Sequence, residues 1–108
     1  MSDTQAPEDF IQFHSEDERA LFTEARLGQE AIDFLSSPLG RLLQGRAETD
    51  IEEAKDVLVD LDPGDTSTIQ TWQTKAKVAR QFIRWIGEAI QNGRNAEQQL
   101  EAIEQERV

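Results

Sequence analysis

The sequence predicts an all-α protein: an antiparallel hairpin of two long helices, with a third, N-terminal helix packed across it and loose termini. Three observations carry this. Ile69, Trp72, Ala76, Ala79, Ile83, Ile86 and Ile90 follow one another at alternating steps of three and four, the spacing that lines up one face of an α-helix. Two further apolar stripes precede that one, marked off by Ser37-Pro38 and by Asp62-Pro63-Gly64-Asp65. The length of 108 residues, with 37% hydrophobic and 31% charged, suits one domain with a modest core if the apolar residues are concentrated on faces.

The elements follow in order. Residues 1–14 carry Asp3, Pro7, Glu8 and Asp9 and read as a disordered or loosely docked tail, which ends in the cluster Phe10, Ile11, Phe13. Either Phe10 and Phe13 fold back on the apolar end of the bundle, or they form a short docking motif that orders on a partner. Ser15-Glu16-Asp17-Glu18 matches a capping box, in which Ser15 accepts from the backbone three residues on and Glu18 reaches back. A first helix therefore starts near Glu16 and ends at Ser36. Its apolar face is Leu21, Ala25, Gly28, Ile32 and Leu35, widened by Phe22, Ala31 and Phe34, and the small Ala25 and Gly28 permit close approach of a neighbour.

Ser37-Pro38 starts the second helix, because Ser caps and Pro is pre-set for a first position that needs no amide donor. Its stripe runs through Leu39, Leu42, Leu43, Ala47, Ile51, Ala54, Val57 and Leu58 to Leu61. Gly40 and Gly45 weaken the early turns by up to about 1 kcal/mol each against Ala. Either another backbone comes close there, or the section is locally irregular. In Asp62-Pro63-Gly64-Asp65, Pro fixes one backbone angle, Gly is expected to supply an unusual one, and the flanking acids cap, so the chain should reverse. The third helix begins near Thr66, capped by Asp65 or Thr66 itself. Continuous to Ile103, it would be about 57 Å long and extend past the second helix. Asn92-Gly93 is the place for a kink or stop, although Leu100 and Ile103 resume the stripe. One helical domain over residues 15–104 and a loose end at 105–108 follow.

Charge supports the hairpin. Residues 37–65 hold eight acids and three bases, whereas 66–108 hold five acids and six bases. A reversal at Pro63 brings Lys75, Lys77, Arg80 and Arg84 beside the acidic half of the second helix. Each exposed pair adds only tenths of a kcal/mol, but together they select this register.

Composition narrows the function. Eleven Lys and Arg against 22 Asp and Glu give a net charge of -11, which disfavours direct binding to nucleic acid or anionic lipid. The chain has no cysteine, so disulfides, thiolate metal ligands and a cysteine nucleophile are out of reach. The acidic start does not read as a secretory signal, and no apolar run approaches the roughly 18 residues of a spanning helix, so neither a membrane nor export is expected. The cytosol of the producing cell is the expected location.

The residues offer no catalytic, cofactor-binding or metal signature. His14 is the single histidine and has no second candidate ligand near it. Glu52, Asp56 and Asp60 recur every fourth residue on one face, but carboxylate metal bundles pair Glu with Glu-x-x-His, which does not occur here, so a solvated acidic face is expected. Phosphate loops, a serine elbow and zinc spacings are missing. An enzyme is therefore not expected. Beside the main stripe of the third helix, Val78, Phe82, Trp85 and Ala89 form a second one. Either the first helix covers it, or it is a surface on which the protein meets itself or a partner.

The segment Phe34-Leu35-Ser36-Ser37-Pro38-Leu39-Gly40-Arg41-Leu42-Leu43-Gln44-Gly45-Arg46 is followed by an acidic helix, Asp62-Pro63, and a helix with Phe82, Trp85 and Ala89-Ile90-Gln91. Over roughly residues 20–100 this resembles small helical proteins of tailed bacteriophages and prophages. The resemblance implies a phage context, in the host cytosol or the virion, and brings no active site with it. Proteins of that kind commonly serve virion assembly or inhibit host enzymes. The expected function is accordingly non-enzymatic: a structural or assembly role through contacts with a protein partner and with itself as a homo-oligomer. Phe82, Trp85, Leu100 and Ile103 are the expected contacts, and Phe10 and Phe13 those of a tail-borne partner. The alternative is an acidic inhibitor that presents Glu52, Asp56 and Asp60 to a basic host protein in place of nucleic-acid phosphates.

Overall fold

The computed structural model describes residues 15–107, and Phe10 and Phe13 lie outside them. Three helices account for nearly all of that span: α1 (Glu16–Ser36), α2 (Pro38–Asp60) and α3 (Thr66–Arg107). Local chemistry sets each boundary. The Ser15 hydroxyl accepts from the Glu18 amide at 3.1 Å, while the Glu18 carboxylate meets the Arg107 guanidinium at the far end of the chain. At the corner, Pro38 has no amide hydrogen for the Phe34 carbonyl four residues back. The Ser37 amide, at 3.0 Å, and the Ser37 hydroxyl both donate to that carbonyl instead. The same hydroxyl accepts from the Gly40 amide at 3.0 Å, so one extended residue both ends α1 and caps α2.

The reversal at Asp62 closes through an Asp65 amide to Asp62 carbonyl bond of 2.9 Å, with the Asp62 carboxylate accepting from the Gly64 amide at 2.9 Å. Among the described residues no glycine has a positive φ, so Gly64 does not supply the unusual angle expected of it. A four-residue turn with Pro second needs none, because both central residues can stay at negative φ. Asp65 is the cap of α3, accepting from the Thr68 amide at 3.3 Å.

The helix α3 is unbroken through Asn92-Gly93 and runs to Arg107, beyond the boundary expected at 104. Gly93 marks a close approach instead of a kink. A Cβ built on it would stand 2.7 Å from the Cα of Gly28, and one built on Gly28 would stand 2.7 Å from the Cα of Gly93. Gly40 serves the corner in the same way, packed against the Phe34 carbonyl, whereas a Cβ built on Gly45 would meet nothing within 4 Å beyond its own helix backbone.

The hairpin of α2 and α3 is present, tied across by Lys75 Nζ to Glu53 Oε1 at 3.1 Å. The contacts of α1 are chiefly with α3, and they run antiparallel from Gly28 opposite Gly93 to Glu18 opposite Arg107. Helix α1 therefore lies lengthwise beside the far half of α3 and not across the hairpin, and α1 and α2 follow one another along α3. The 42 residues of α3 rise about 63 Å, close to the long dimension of the molecule, 66 × 28 × 25 Å.

The seam is built from small residues. On α2 the buried positions Gly40, Ala47 and Ala54 are seven apart, and on α3 Ala79 and Gly93 are fourteen apart, with Ala96 beside them. A seven-residue repeat keeps two antiparallel helices in register. With Gly and Ala at those positions the backbones come close and the larger apolar side chains are displaced to either side. No large side chain among the described residues is fully buried. Each buried methyl group contributes only about 0.8 kcal/mol, against about 1.5–3 for a buried Leu or Ile, so the core stabilises the molecule modestly.

Candidate functional site

Where the displaced side chains gather on one flank of the hairpin seam, they form an open apolar groove. Ala47 and Ala79 make its floor, Leu43, Val78 and Phe82 its walls, and Arg46, Asp50 and Lys75 its rim. Helical spacing extends the same flank: Trp85 is seven residues beyond Val78, and Leu39 is four before Leu43. Water reaches these residues. Val78 is 66% exposed, Trp85 62% and Leu39 57%. A contiguous exposed patch with Trp and Phe in it, framed by charged residues, is the composition of a protein-contact surface.

The rim is held in place by its own pairs. Arg46 Nε lies 3.8 Å from Asp50 Oδ1, one helical turn on. Lys75 Nζ is tied to Glu53 across the seam and stands 4.9 Å from the centre of the Trp72 ring, over its face. Trp72 is half-buried under that ammonium instead of being a core residue. These pairs are exposed and add little stability. They do fix where the charges sit around the apolar walls.

Of the residues that sequence points to, Phe82 and Trp85 belong to this surface, Phe82 half-buried in the wall and Trp85 in water. Leu100 and Ile103 do not. They are half-buried on the stretch of α3 that α1 lies along, about 27 Å or more from Phe82 by helical rise. The end of α3 expected to protrude lies beside α1, as the Glu18–Arg107 pair shows, and Leu100 lines a shallow hollow there with Glu97, Glu101 and Glu104. The second stripe of α3 is divided. Its Val78 and Trp85 are not covered by α1, while Ala89, nearer Gly93, is half-buried. Leu39, Leu42 and Leu43 read in sequence as core, yet they are 57%, 67% and 40% exposed. The signal that would have separated them is the seven-residue spacing of Gly40, Ala47 and Ala54, which places the seam on the small residues.

The acids expected on one face, Glu52, Asp56 and Asp60, are all exposed. Glu52 pairs with Lys55 at 3.2 Å on its own helix, and Glu48, Glu52, Glu53 and Asp56 line a shallow acidic surface along α2. Among the described residues no three His, Cys, Asp or Glu side chains are grouped so as to hold a metal ion. No helix among them is long and apolar enough to cross a membrane. Of the basic residues expected to face the acids of α2, Lys75 makes its pair, and Arg80 and Arg84 stand with Ile51 and Ile83 beside the seam.

Comparison with protein-family models, with curated proteins and with solved structures finds no match to this chain, so the meaning of the groove is carried by its own chemistry.

Proposed function

We propose that the protein is a non-enzymatic, phage-type structural or assembly component that acts through protein–protein contacts, its own copies included, in the host cytosol or within the virion. The observation that carries this reading is the open flank of the hairpin, where Trp85, Val78 and Leu39 stand in water beside Leu43 and Phe82. A core of Ala and Gly leaves much of the chain's large apolar area unburied, and association is the means by which such a chain removes that area from water. The sequence resemblance to small phage proteins supplies the setting.

The solution mass tests it, measured by light scattering after size exclusion at low and high salt. An oligomer that persists in high salt supports the reading, since apolar contact is not screened whereas surface ion pairing is. A single chain under all conditions overturns the self-association. The acidic surface around Glu48, Glu52 and Asp56 supports a second reading, an inhibitor that binds a basic host protein. It requires capture of a basic partner that is lost at high salt and lost on reversing the charge of Glu52 and Asp56.

A further inference from the structure

We infer that the groove flank of the α2–α3 hairpin is where a second copy of this chain docks, face to face in a two-fold dimer, an inference that depends on the self-association proposed above. Three arguments single out that occupant.

The first is reach. The sequence offers one candidate occupant within the same chain, the aromatic cluster Phe10 to Phe13. It precedes α1, whose first turn lies at the Arg107 end of α3. From there to Trp85, the nearest residue of the flank, is about 33 Å along the helix, while the six residues from Phe10 to Glu16 span at most about 21 Å. The aromatic cluster of the same chain therefore falls short of the groove.

The second is charge. Two copies that each carry -11 repel over most of their surfaces, and they meet at least cost where local charge is near zero. The groove rim is such a place, with Arg46 and Lys75 set against Asp50 and Glu53. A patch that presents both signs can complement itself across a two-fold axis, and an isologous contact leaves no second apolar patch open.

The third is area. The hairpin is about 35 Å long by the rise of α2, and the molecule is 25 Å across in its thinnest direction. Such a face offers at most roughly 800 Å² per copy, the scale that a stable protein–protein contact buries.

The experiment compares the wild-type chain with Val78→Asp/Trp85→Asp and with Val59→Asp by light scattering, with circular dichroism to verify helicity. Val59 is 82% exposed and lies off the groove, so it controls for an added charge. The expected result is a wild-type and Val59→Asp mass of twice 12.3 kDa and a single-chain mass for the double variant, at unchanged helicity. The chain has no cysteine, so Val78→Cys and Val59→Cys give a second readout. A short bismaleimide should link copies through position 78 and not through position 59. An oligomer that ignores the double variant and links equally well through both positions overturns this face and leaves self-association standing. A wild-type monomer overturns both and makes the groove a site for a foreign protein.

Discussion

A methyl group at position 93 would meet the Cα of Gly28 at 2.7 Å and the Glu24 carbonyl at 3.1 Å, with backbone on both sides and nothing that can rotate away. Gly93→Ala gains up to about 1 kcal/mol of helix propensity, but forcing the helices apart costs typically about 1–3 kcal/mol. The expected outcome is a net loss of stability. Gly45→Ala, with nothing within 4 Å, should gain up to the same 1 kcal/mol. Urea unfolding followed by circular dichroism reads both signs, and a stabilising Gly93→Ala would mean that the two backbones do not touch. Sequence carries half of this close approach. Gly28 permits a neighbour within an apolar face, but Gly93 after Asn92 reads as a break, because glycine has the same low helix propensity whether a helix ends there or a partner presses on it.

Among the elements, the boundaries were the most legible part. Ser15, Ser37-Pro38 and Asp62-Pro63-Gly64-Asp65 act within a few residues of themselves, and the chain ends and restarts its helices at them. Which side of each helix faces its partner was less legible. A stripe as wide as Leu39 to Leu61 contains several possible seams, and the seam is chosen by how closely two backbones can approach, a property of the pair and not of either helix. For the same reason the groove could be read as a second stripe on α3 but not assigned its opposite wall on α2. The placement of α1 gives a test at this scale. The Glu18 side chain is 9% exposed in its pair with Arg107, which is 42% exposed. Arg107→Ala should cost on the order of 1–2 kcal/mol, below the value for a fully buried pair because the arginine is partly in water. Hydrogen exchange should show the loss as faster opening of the first turns of α1, while α2 keeps its protection. Equal loosening of α2 would contradict the end-to-end arrangement.

The described residues form a rod. Its radius of gyration of 20.8 Å far exceeds the value of about 13 Å for a compact domain of this length. Docking through the hairpin flank adds mass across the rod when the two copies lie side by side. Small-angle scattering over a dilution series should then show the mass halving while the dimer's longest dimension is about 66 Å for parallel rods and about 90 Å for antiparallel ones, well short of double. A longest dimension that doubles with mass would place the contact at the rod's ends. Raising salt should tighten this dimer, because screening relieves the repulsion between two acidic chains and leaves apolar burial in place.

The order of the helices along the chain also sets the order of events in folding. Contacts along the rod grow steadily more distant in sequence away from the turn, from 22 residues at Glu53–Lys75 to 89 at Glu18–Arg107. Loop closure favours the nearest first, so the chain should close from Pro63 outward and dock its amino-terminal end last. During synthesis, α1 and α2 leave the ribosome before α3, yet most of their contacts are with α3 and few are with each other. Most of the contacts between helices must therefore wait for the 42 residues of α3. Until then the early apolar stripes have little within the chain to pack on, and a neighbouring nascent copy is a surface they can meet.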